Sequence, residues 1–273
     1  MIILSSKGPF KIPIEAEVIS PDAMAGQSLS DIGRLPIVQG NVQTSLDEFF
    51  TVEGQPDESI RLEGDFSGVK HIGAGMTRGR IEIHGDAGMH LGAAMRGGEI
   101  VVHGSVADWA GAEMRGGLLR IMGHAGHLLG AGYRGSEKGM RGGTIVVMGD
   151  AGNETGCTMR RGLIAVGGTA GDFTGVMMIA GTVIVLGEVG IRTAAGMKRG
   201  TIIAYGGSGS PPALLPTFRF DCTYRPPWVE MYLRQVAQLG LIVPERLHGG
   251  VYHRYSGDLN ELGKGEILVW TSA

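Results

Sequence analysis

The sequence predicts an all-β fold, a right-handed parallel β-helix of about seven to eight coils with a 19-residue repeat and a short C-terminal helix. Glycine accounts for 49 of the 273 residues, far above its usual share of about 7%. Of these glycines, 37 lie between residues 60 and 207, where a methionine-centred motif also recurs at constant spacing. Abundant glycine and constant spacing together indicate a stack of nearly identical coils.

The repeating motif is a methionine followed two or three residues later by glycine, and successive methionines are 19, 19, 26, 19, 19 and 19 residues apart. The seven methionines are Met76, Met95, Met114, Met140, Met159, Met178 and Met197. A short aliphatic run follows each motif, as in RIEIHG and EIVVHG. Alternating aliphatic residues are typical of strands with one buried face, and runs of four to five residues are too short for free-standing helices.

Each aliphatic run closes on a glycine, among them Gly104 and Gly168. Because glycine adopts positive φ at no steric cost, we expect these positions to be corners with φ > 0 at which the chain turns. Valine at either position should then prevent soluble folding. Leucine-rich repeats and collagen are excluded, since the first needs L-x-x-L-x-L spacing and the second needs glycine at every third position. Nearly all parallel crossovers are right-handed, which predicts the hand of the coil.

Composition divides the chain into three parts. Residues 1–59 are predicted to form an N-terminal cap, residues 60–207 the glycine-rich parallel β-helix, and residues 208–273 a C-terminal arm. A cap is expected because the end of an open coil presents unpaired strand edges. The segment KIPIEAEVI at 11–19 alternates like a strand and belongs to this predicted cap.

The C-terminal arm contains a predicted helix. Apolar residues at helical spacing begin after Pro227 and stop before Gly240, which predicts a helix near 227–239. The segment GSGSPPALLPTF at 207–218 is predicted to be an extended linker, because proline, glycine and serine dominate its first half.

Charge and composition exclude several classes of protein. The formal net charge of −3 argues against nucleic acid as a partner. Two cysteines cannot build a disulfide framework and suit a reducing compartment. The first residues lack the pattern of a secretory signal, and the longest uncharged apolar run, 173–187, is too short to span a bilayer. We therefore expect a cytoplasmic protein with no membrane partner.

Histidines and carboxylates recur without forming a complete site. His84 and His103 occupy equivalent positions one coil apart, and we interpret them as stacked turn residues. Asp86 and Asp150 occupy one column, that is, the same position in different repeats, but Ser105 occupies that position in a repeat between them. Asp and Ser directly after glycine are ordinary turn residues. The sequence therefore predicts no catalytic residue and no metal in this chain. A free-standing β-helix enzyme acting on polysaccharide stays open as an alternative.

Basic residues also share one column. They are Arg96, Arg115, Arg141, Arg160 and Lys198, each directly after a repeat methionine. Stacked like charges are unfavourable unless carboxylates or an anionic partner intervene. Two interpretations follow: pairing with carboxylates, such as Arg96 with Glu99, or contact with an acidic partner or polyanionic ligand. The fourth coil carries a seven-residue insertion, and its residues Arg134 and Lys138 are predicted to join this contact surface.

Three segments together resemble a known family. The run GHAGHLLGAGYRGSEKGMRGGTIVVMGDAG at 123–152, the leader IPIEAEVISPDAMAG at 12–26 and the tail GDLNELGKGEILV at 257–269 resemble the C subunit of formylmethanofuran dehydrogenase. They resemble equally the C subunit of the bacterial formyltransferase/hydrolase complex. The glycine-rich coils alone are also similar to the C-terminal domain of the glutamate synthase large subunit, but the leader and the tail argue against that assignment.

The resemblance implies a structural subunit with no catalytic residues of its own. In the bacterial complex a formyl group moves from tetrahydromethanopterin to a methanofuran-type carrier, and formate is released. The implied partners are a formyltransferase subunit and an amidohydrolase-like subunit that holds the metal, and the carrier's polyglutamate arm is a further possible contact. The archaeal alternative is a molybdenum or tungsten formylmethanofuran dehydrogenase.

Overall fold

Parallel strands dominate the computed structural model, which describes residues 1–206 and 212–271. The predicted boundary at 207/208 and the first half of the predicted linker lie outside the described residues. The strands are β1 Ile2–Ser6, β2 Ile14–Glu15, β3 Pro36–Gln39, β4 Val42–Ser45, β5 Phe50–Gly54, β6 Ser59–Glu63, β7 Val69–Lys70, β8 Arg80–His84, β9 Glu99–Val102, β10 Arg115–Ile121, β11 Arg141–Val147, β12 Arg161–Val166, β13 Thr182–Val185, β14 Arg199–Ala204, β15 Arg219–Tyr224, β16 Val251–Gly257 and β17 Lys264–Thr271. The helices are α1 Pro21–Met24, α2 Leu29–Gly33, α3 Leu46–Phe49 and α4 Pro227–Gln238, with a 3₁₀ turn at Glu245–Leu247.

One 13-stranded sheet runs through the molecule, in the order β15-β16-β17-β14-β13-β12-β11-β10-β9-β8-β6-β1-β5. From β6 to β14 the strands of this sheet are parallel, and each repeat adds its strand beside that of the preceding repeat. The register follows the sequence period, since Ile81 lies opposite Ile100 and Ile100 lies opposite Leu119. The predicted all-β class is therefore confirmed.

A second ladder joins the same repeats on another side. It consists of parallel bridges between Phe66, Ala87, Val106, Ala125, Ala151, Ala170 and Val189, in that order. Each repeat thus contacts its neighbours through the main sheet and through this ladder, and further backbone hydrogen bonds join the segments around the methionines, as from Arg96 to Met76 (2.8 Å). Because the contacts are between neighbouring repeats, the stack is stable only when several repeats are present and both ends are covered.

The repeat methionines form the centre of the core. All seven are at most 1% exposed, and they pack with the inward isoleucines and valines of the strands. Residues of the leader, such as Ile2 and Met24, belong to the same hydrophobic cluster. At the first repeat, β1 pairs with β6 in parallel; at the last, β17 pairs with β14 in parallel. Both ends of the repeated strands are therefore covered by paired backbone.

The helix predicted in the C-terminal arm is confirmed as α4. It starts at Pro227 and packs Val229, Leu233 and Val236 against outward residues of the main sheet, including Ile184. Within the described residues, no helix is long and apolar enough to cross a membrane.

The predicted corners at Gly104 and Gly168 are wrong, because neither residue is among those with positive φ. In six of the seven repeats, left-handed residues lie instead five, three and one positions before the methionine, and in all seven the glycine three positions after the methionine is also left-handed. In the repeat of Met114 the first three are Trp109, Gly111 and Glu113, with φ of 65°, 62° and 53°. Residues with side chains occupy many of these left-handed positions. Gly104 itself is not left-handed, so positive φ is not the reason for a glycine there.

Gly104 is required for a different reason, the close approach of the preceding repeat. A Cβ atom on Gly104 would lie 2.6 Å from the carbonyl oxygen of Gly85 and would also contact Oδ1 of Asp86. On Gly168 a Cβ atom would lie 3.0 Å from the carbonyl oxygen of Gly149. The hydrogen bond that draws the backbones together runs from the N–H of Gly104 to the carbonyl oxygen of Gly85 (3.1 Å).

Candidate interaction surface

The four arginines predicted from the sequence lie at equivalent positions along one edge of the stack. We call Arg96, Arg115, Arg141 and Arg160 the basic ladder. Each follows a buried methionine, and each backbone N–H donates to the methionine carbonyl of the preceding repeat, as from Arg115 to Met95 (2.7 Å). Neighbouring parallel strands are about 4.8 Å apart, so this register holds successive arginines close to one another.

The basic ladder is largely free of intramolecular ion pairs. The pairing of Arg96 with Glu99 suggested by the sequence is wrong, because Glu99 contacts Nη1 of Arg80 (3.0 Å) and Nη1 of Arg120 (3.6 Å). Arg141 lies 3.6 Å from a carboxylate oxygen of Glu113. Among the described residues, no carboxylate lies within 4 Å of the other three members of the ladder. Their guanidinium groups are exposed and available to an anion.

The inserted loop folds back over two earlier repeats. The hydroxyl group of Tyr133 lies 3.0 Å from Nδ1 of His90, within hydrogen-bonding distance. The ring of Tyr133 stacks on that of Trp109, with centroids 5.0 Å apart, and His90 stacks in turn on His71 at 4.5 Å. Burial raises the pKa of Tyr133 to about 12 and lowers the pKa of His90, which His71 and Lys70 lower further. Both groups are thus neutral near pH 7, as a half-buried contact requires.

We expect Tyr133→Phe to loosen the inserted loop without unfolding the protein. The change removes one half-buried hydrogen bond, which costs roughly 1 kcal/mol in the free energy of unfolding. Chemical denaturation measures the loss, and hydrogen exchange of residues 131–139 shows where it occurs. Tyr232→Phe is the control, because it removes a tyrosine hydroxyl elsewhere, and equal effects of the two variants would contradict a docked loop.

A cavity of about 280 Å³ lies between the inserted loop and the adjacent repeats. Its lining includes Trp109, Tyr133, Arg134, Glu154 and Cys157. Cys157 is 6% exposed, and burial raises the pKa of its thiol to about 11, with the carboxylate of Glu154 adding to the shift. The cavity was missed by sequence reasoning, since its lining comes from residues at different offsets in several repeats. Arg134 and Lys138 are exposed on the loop.

We expect the thiol of Cys157 to react slowly with iodoacetamide, and we expect the reaction rate to increase with pH. The thiolate is the reactive form, and with a pKa of about 11 only about one thiol in a thousand is ionised at pH 8. The rate should rise about tenfold per pH unit from pH 8 to pH 10. Mass spectrometry of the labelled chain separates this site from exposed Cys222, the internal control. A rate at Cys157 that is independent of pH would contradict the raised pKa.

The structure shows what the side chains directly after the closing glycines do, at Asp86, Ser105, His124 and Asp150. Oδ1 of Asp86 accepts a hydrogen bond from the N–H of Ser105 (2.7 Å), and Oγ of Ser105 accepts from the N–H of His124 (3.0 Å). Nδ1 of His124 accepts in turn from the N–H of Asp150 (3.0 Å). Side chains of this column therefore bind the backbone of the next repeat. Asp, Ser and His substitute for one another there because each offers an acceptor.

One group of described residues has the geometry to hold a metal ion. Atoms of Glu82, His84 and His103 that could act as ligands all lie within 4.8 Å of one another. The two histidines lie one above the other as the sequence predicts, with ring centroids 4.6 Å apart and ring planes tilted by 39°, but His84 is the last residue of β8 rather than a turn residue. The carboxylate between them was not expected from the sequence, because no other repeat carries this combination.

The fold and this surface define a repeat protein of stacked parallel strands that presents a basic edge. No family model matches the chain. A segment of 89 residues is 44% identical to the C subunit of molybdenum-containing formylmethanofuran dehydrogenase 1 from Methanothermobacter thermautotrophicus, covering 32% of this chain and 22% of that protein. A segment of 93 residues is 44% identical to the corresponding subunit from Methanosarcina barkeri, covering 32% of this chain and 31% of that protein. The aligned segments thus span a third or less of these curated relatives.

A solved structure matches over nearly the whole length. It is a chain in the crystal structure of the formyltransferase/hydrolase complex (FhcABCD) from Methylorubrum extorquens in complex with methylofuran. The two chains are 34% identical, with a TM-score of 0.89, and the match covers 98% of each. The chain therefore belongs to the family formed by the C subunits of formylmethanofuran dehydrogenases and of the formyltransferase/hydrolase complex.

Proposed function

We propose that this chain is the non-catalytic structural subunit of a complex that transfers a formyl group from tetrahydromethanopterin to a methanofuran-type carrier and releases formate. The observation that carries the proposal is the match to a chain of the formyltransferase/hydrolase complex over 98% of both chains. The chain's shape in this role is a right-handed parallel β-helix, which the backbone contacts between successive repeats support. Its three parts would be the cap at 1–59, the helical body at 60–207 and the arm at 208–273.

The proposed partners are a formyltransferase subunit and an amidohydrolase-like subunit, and the proposed compartment is the cytoplasm. A stack of repeats is suited to a scaffold, because its backbone ladders are rigid and its surface repeats at fixed intervals. The basic ladder is a charged column along the repeats, and the inserted loop interrupts the repeat. They form the proposed contact region for a partner subunit or for the anionic arm of the carrier.

The proposed chemistry takes place outside this chain. Tetrahydromethanopterin and the methanofuran-type carrier would bind to partner subunits, and the hydrolase subunit would hold the catalytic metal. This chain would keep the two active sites at a fixed separation. A carrier with a negatively charged arm would be attracted to the unpaired arginines of the basic ladder as it moves between those sites.

The C subunit of a molybdenum or tungsten formylmethanofuran dehydrogenase is the second candidate. The 44% identity to the Methanothermobacter protein over 89 residues favours it, since this is the higher identity of the two comparisons. That match covers only 32% of this chain, whereas the match to the formyltransferase/hydrolase complex covers 98%, and this difference in coverage favours the first candidate. The two proposals differ in whether the assembled complex holds molybdenum or tungsten.

The test is to purify the complex from its native cells through a cleavable tag on this chain. We expect a formyltransferase subunit and an amidohydrolase-like subunit to co-purify in fixed ratio, with formyl transfer and formate release but without molybdenum or tungsten. Deleting the gene of this chain should abolish both assembly and activity. Molybdenum or tungsten in the complex would favour the second candidate, and purification of the chain alone would contradict both.

A further inference from the structure

The cluster of Glu82, His84 and His103 lies on the outer face of the main sheet, toward the C-terminal ends of β8 and β9. Glu82 and His84 are two residues apart on β8, so both point outward while Ile81 and Ile83 are buried. His103 follows β9 in the next repeat. Its N–H donates to the carbonyl oxygen of Ile83 (2.9 Å), and this bond fixes it beside His84.

The distances between these side chains fit a shared ion. Oε1 of Glu82 lies 2.9 Å from Nε2 of His103 and 3.6 Å from Nε2 of His84. Two ligand atoms of a tetrahedral zinc ion are about 3.3 Å apart, given bond lengths near 2.0 to 2.1 Å. The two distances from Glu82 lie on either side of that value, and the two imidazole nitrogens lie within 4.8 Å of each other, so binding an ion would require the side chains to rotate toward it.

The carboxylate of Glu82 is not committed to another cation at hydrogen-bonding distance. Arg80, its neighbour on the same strand, contacts Glu99 instead, at 3.0 Å. A glutamate carboxylate is ionised at neutral pH, so Glu82 offers a negatively charged oxygen ligand. The imidazole nitrogens that face it are exposed at the surface, where an ion from solution can reach them.

We propose that Glu82, His84 and His103 bind one divalent transition-metal ion, zinc by preference, across two successive repeats. Two imidazoles and one carboxylate are a ligand set that zinc accepts, and they leave a fourth position open to water. The ion would replace the direct contact between Glu82 and His103 with two metal bonds. The site departs from the sequence expectation of no metal, because Glu82 supplies the third ligand that the histidine spacing alone does not reveal.

A metal at this position would join β8 to the next repeat. It would stabilise the folded state by mass action, since the ligands come together only in that state. This inference concerns only residues of this chain and does not depend on the proposed role in formyl transfer.

The experiment measures zinc binding to the untagged full-length chain after treatment with a chelator. Isothermal titration calorimetry with zinc chloride is expected to give one site per chain with a dissociation constant at or below about 10 μM, and zinc should raise the melting temperature. Glu82→Gln, which keeps the shape of the side chain, should weaken binding at least tenfold. His84→Ala with His103→Ala should abolish it together with the rise in melting temperature.

His124→Ala is the matched control, because His124 is also exposed and lies 3.2 Å from the carboxylate of Asp150 but has no third ligand within the described residues. It should leave the stoichiometry and the affinity unchanged. The proposal is overturned if the wild-type chain shows no saturable binding at 100 μM zinc. It is equally overturned if the double histidine variant binds as tightly as the wild type.

Discussion

Gly104→Val is expected to abolish soluble folding of the full-length chain. A side chain at this position would meet the backbone of the preceding repeat, with its Cβ atom 2.6 Å from the carbonyl oxygen of Gly85. Overpacking that flexible side chains can absorb typically costs about 1–3 kcal/mol. Here the obstacle is backbone, held by the hydrogen bond between the two glycines, so the repeats would have to separate. We expect a loss of stability above that range, measured as loss of soluble protein or of the thermal transition.

Gly75→Ala is the matched control for the steric argument. Gly75 has a φ of 68°, and a Cβ atom there would meet nothing within 4 Å. Its counterparts Ala94 and Glu113 carry side chains at φ of 55° and 53°. The alanine variant should therefore melt within a few degrees of the wild type. A normal melting transition of Gly104→Val would contradict the close approach of two backbones at Gly104. Unfolding of Gly75→Ala would contradict the conclusion that a side chain is tolerated at the positive φ of Gly75.

The strands and the core could be predicted from the sequence because they depend on periodicity. A 19-residue repeat places equivalent residues in successive strands, and the structure buries all seven repeat methionines. The identity of the left-handed residues could not be predicted in the same way. Glycine marks both positive φ and close approach of two backbones, and sequence alone does not separate these two causes at Gly104 and Gly111.

Surface features that recur in successive repeats could be predicted from the sequence, whereas features confined to one repeat or to the insertion could not. The basic ladder is a column in the repeat, so its alignment was evident. The docking of Tyr133 on His90 joins the insertion to a repeat 43 residues earlier, and no local pattern encodes that distance. The contact of Glu82 with the two histidines was not predicted for a related reason. The role of Glu82 depends on His103 in the next repeat, and the corresponding residue of that repeat is Val101.

The alignment of successive repeats also explains why equivalent outward positions carry different types of side chain in different repeats. Main-chain hydrogen bonds and buried aliphatic residues fix each repeat on its neighbour, so outward positions are free to vary. Acceptors such as Asp86 and His124 bind the next backbone, whereas exposed arginines contribute little to the stack itself. Residues that do not stabilise the stack are the ones available for contact with other molecules.

Reversing the charge of Arg96 and Arg115 together is expected to leave the repeat stack folded but to impair the complex. Neither side chain has a carboxylate within 4 Å among the described residues, so Arg96→Glu with Arg115→Glu breaks no internal ion pair. An anionic partner or carrier arm would meet repulsion in place of attraction. We expect assembly or carrier turnover to fall by about tenfold, the lower end of the range for electrostatic steering. Subunit ratios after purification and the steady-state rate measure the two effects.

The control is Arg34→Glu with Arg246→Glu, which changes the net charge equally at exposed arginines outside the ladder. It should assemble and turn over like the wild type. The wild-type rate should also decrease as salt rises past about 0.15 M, where the screening length is about 8 Å, because steering acts over that distance. The double variant of the ladder should lose most of this salt dependence. If it assembles normally and its rate follows the wild type at every salt concentration, the basic ladder takes no part in partner or carrier binding.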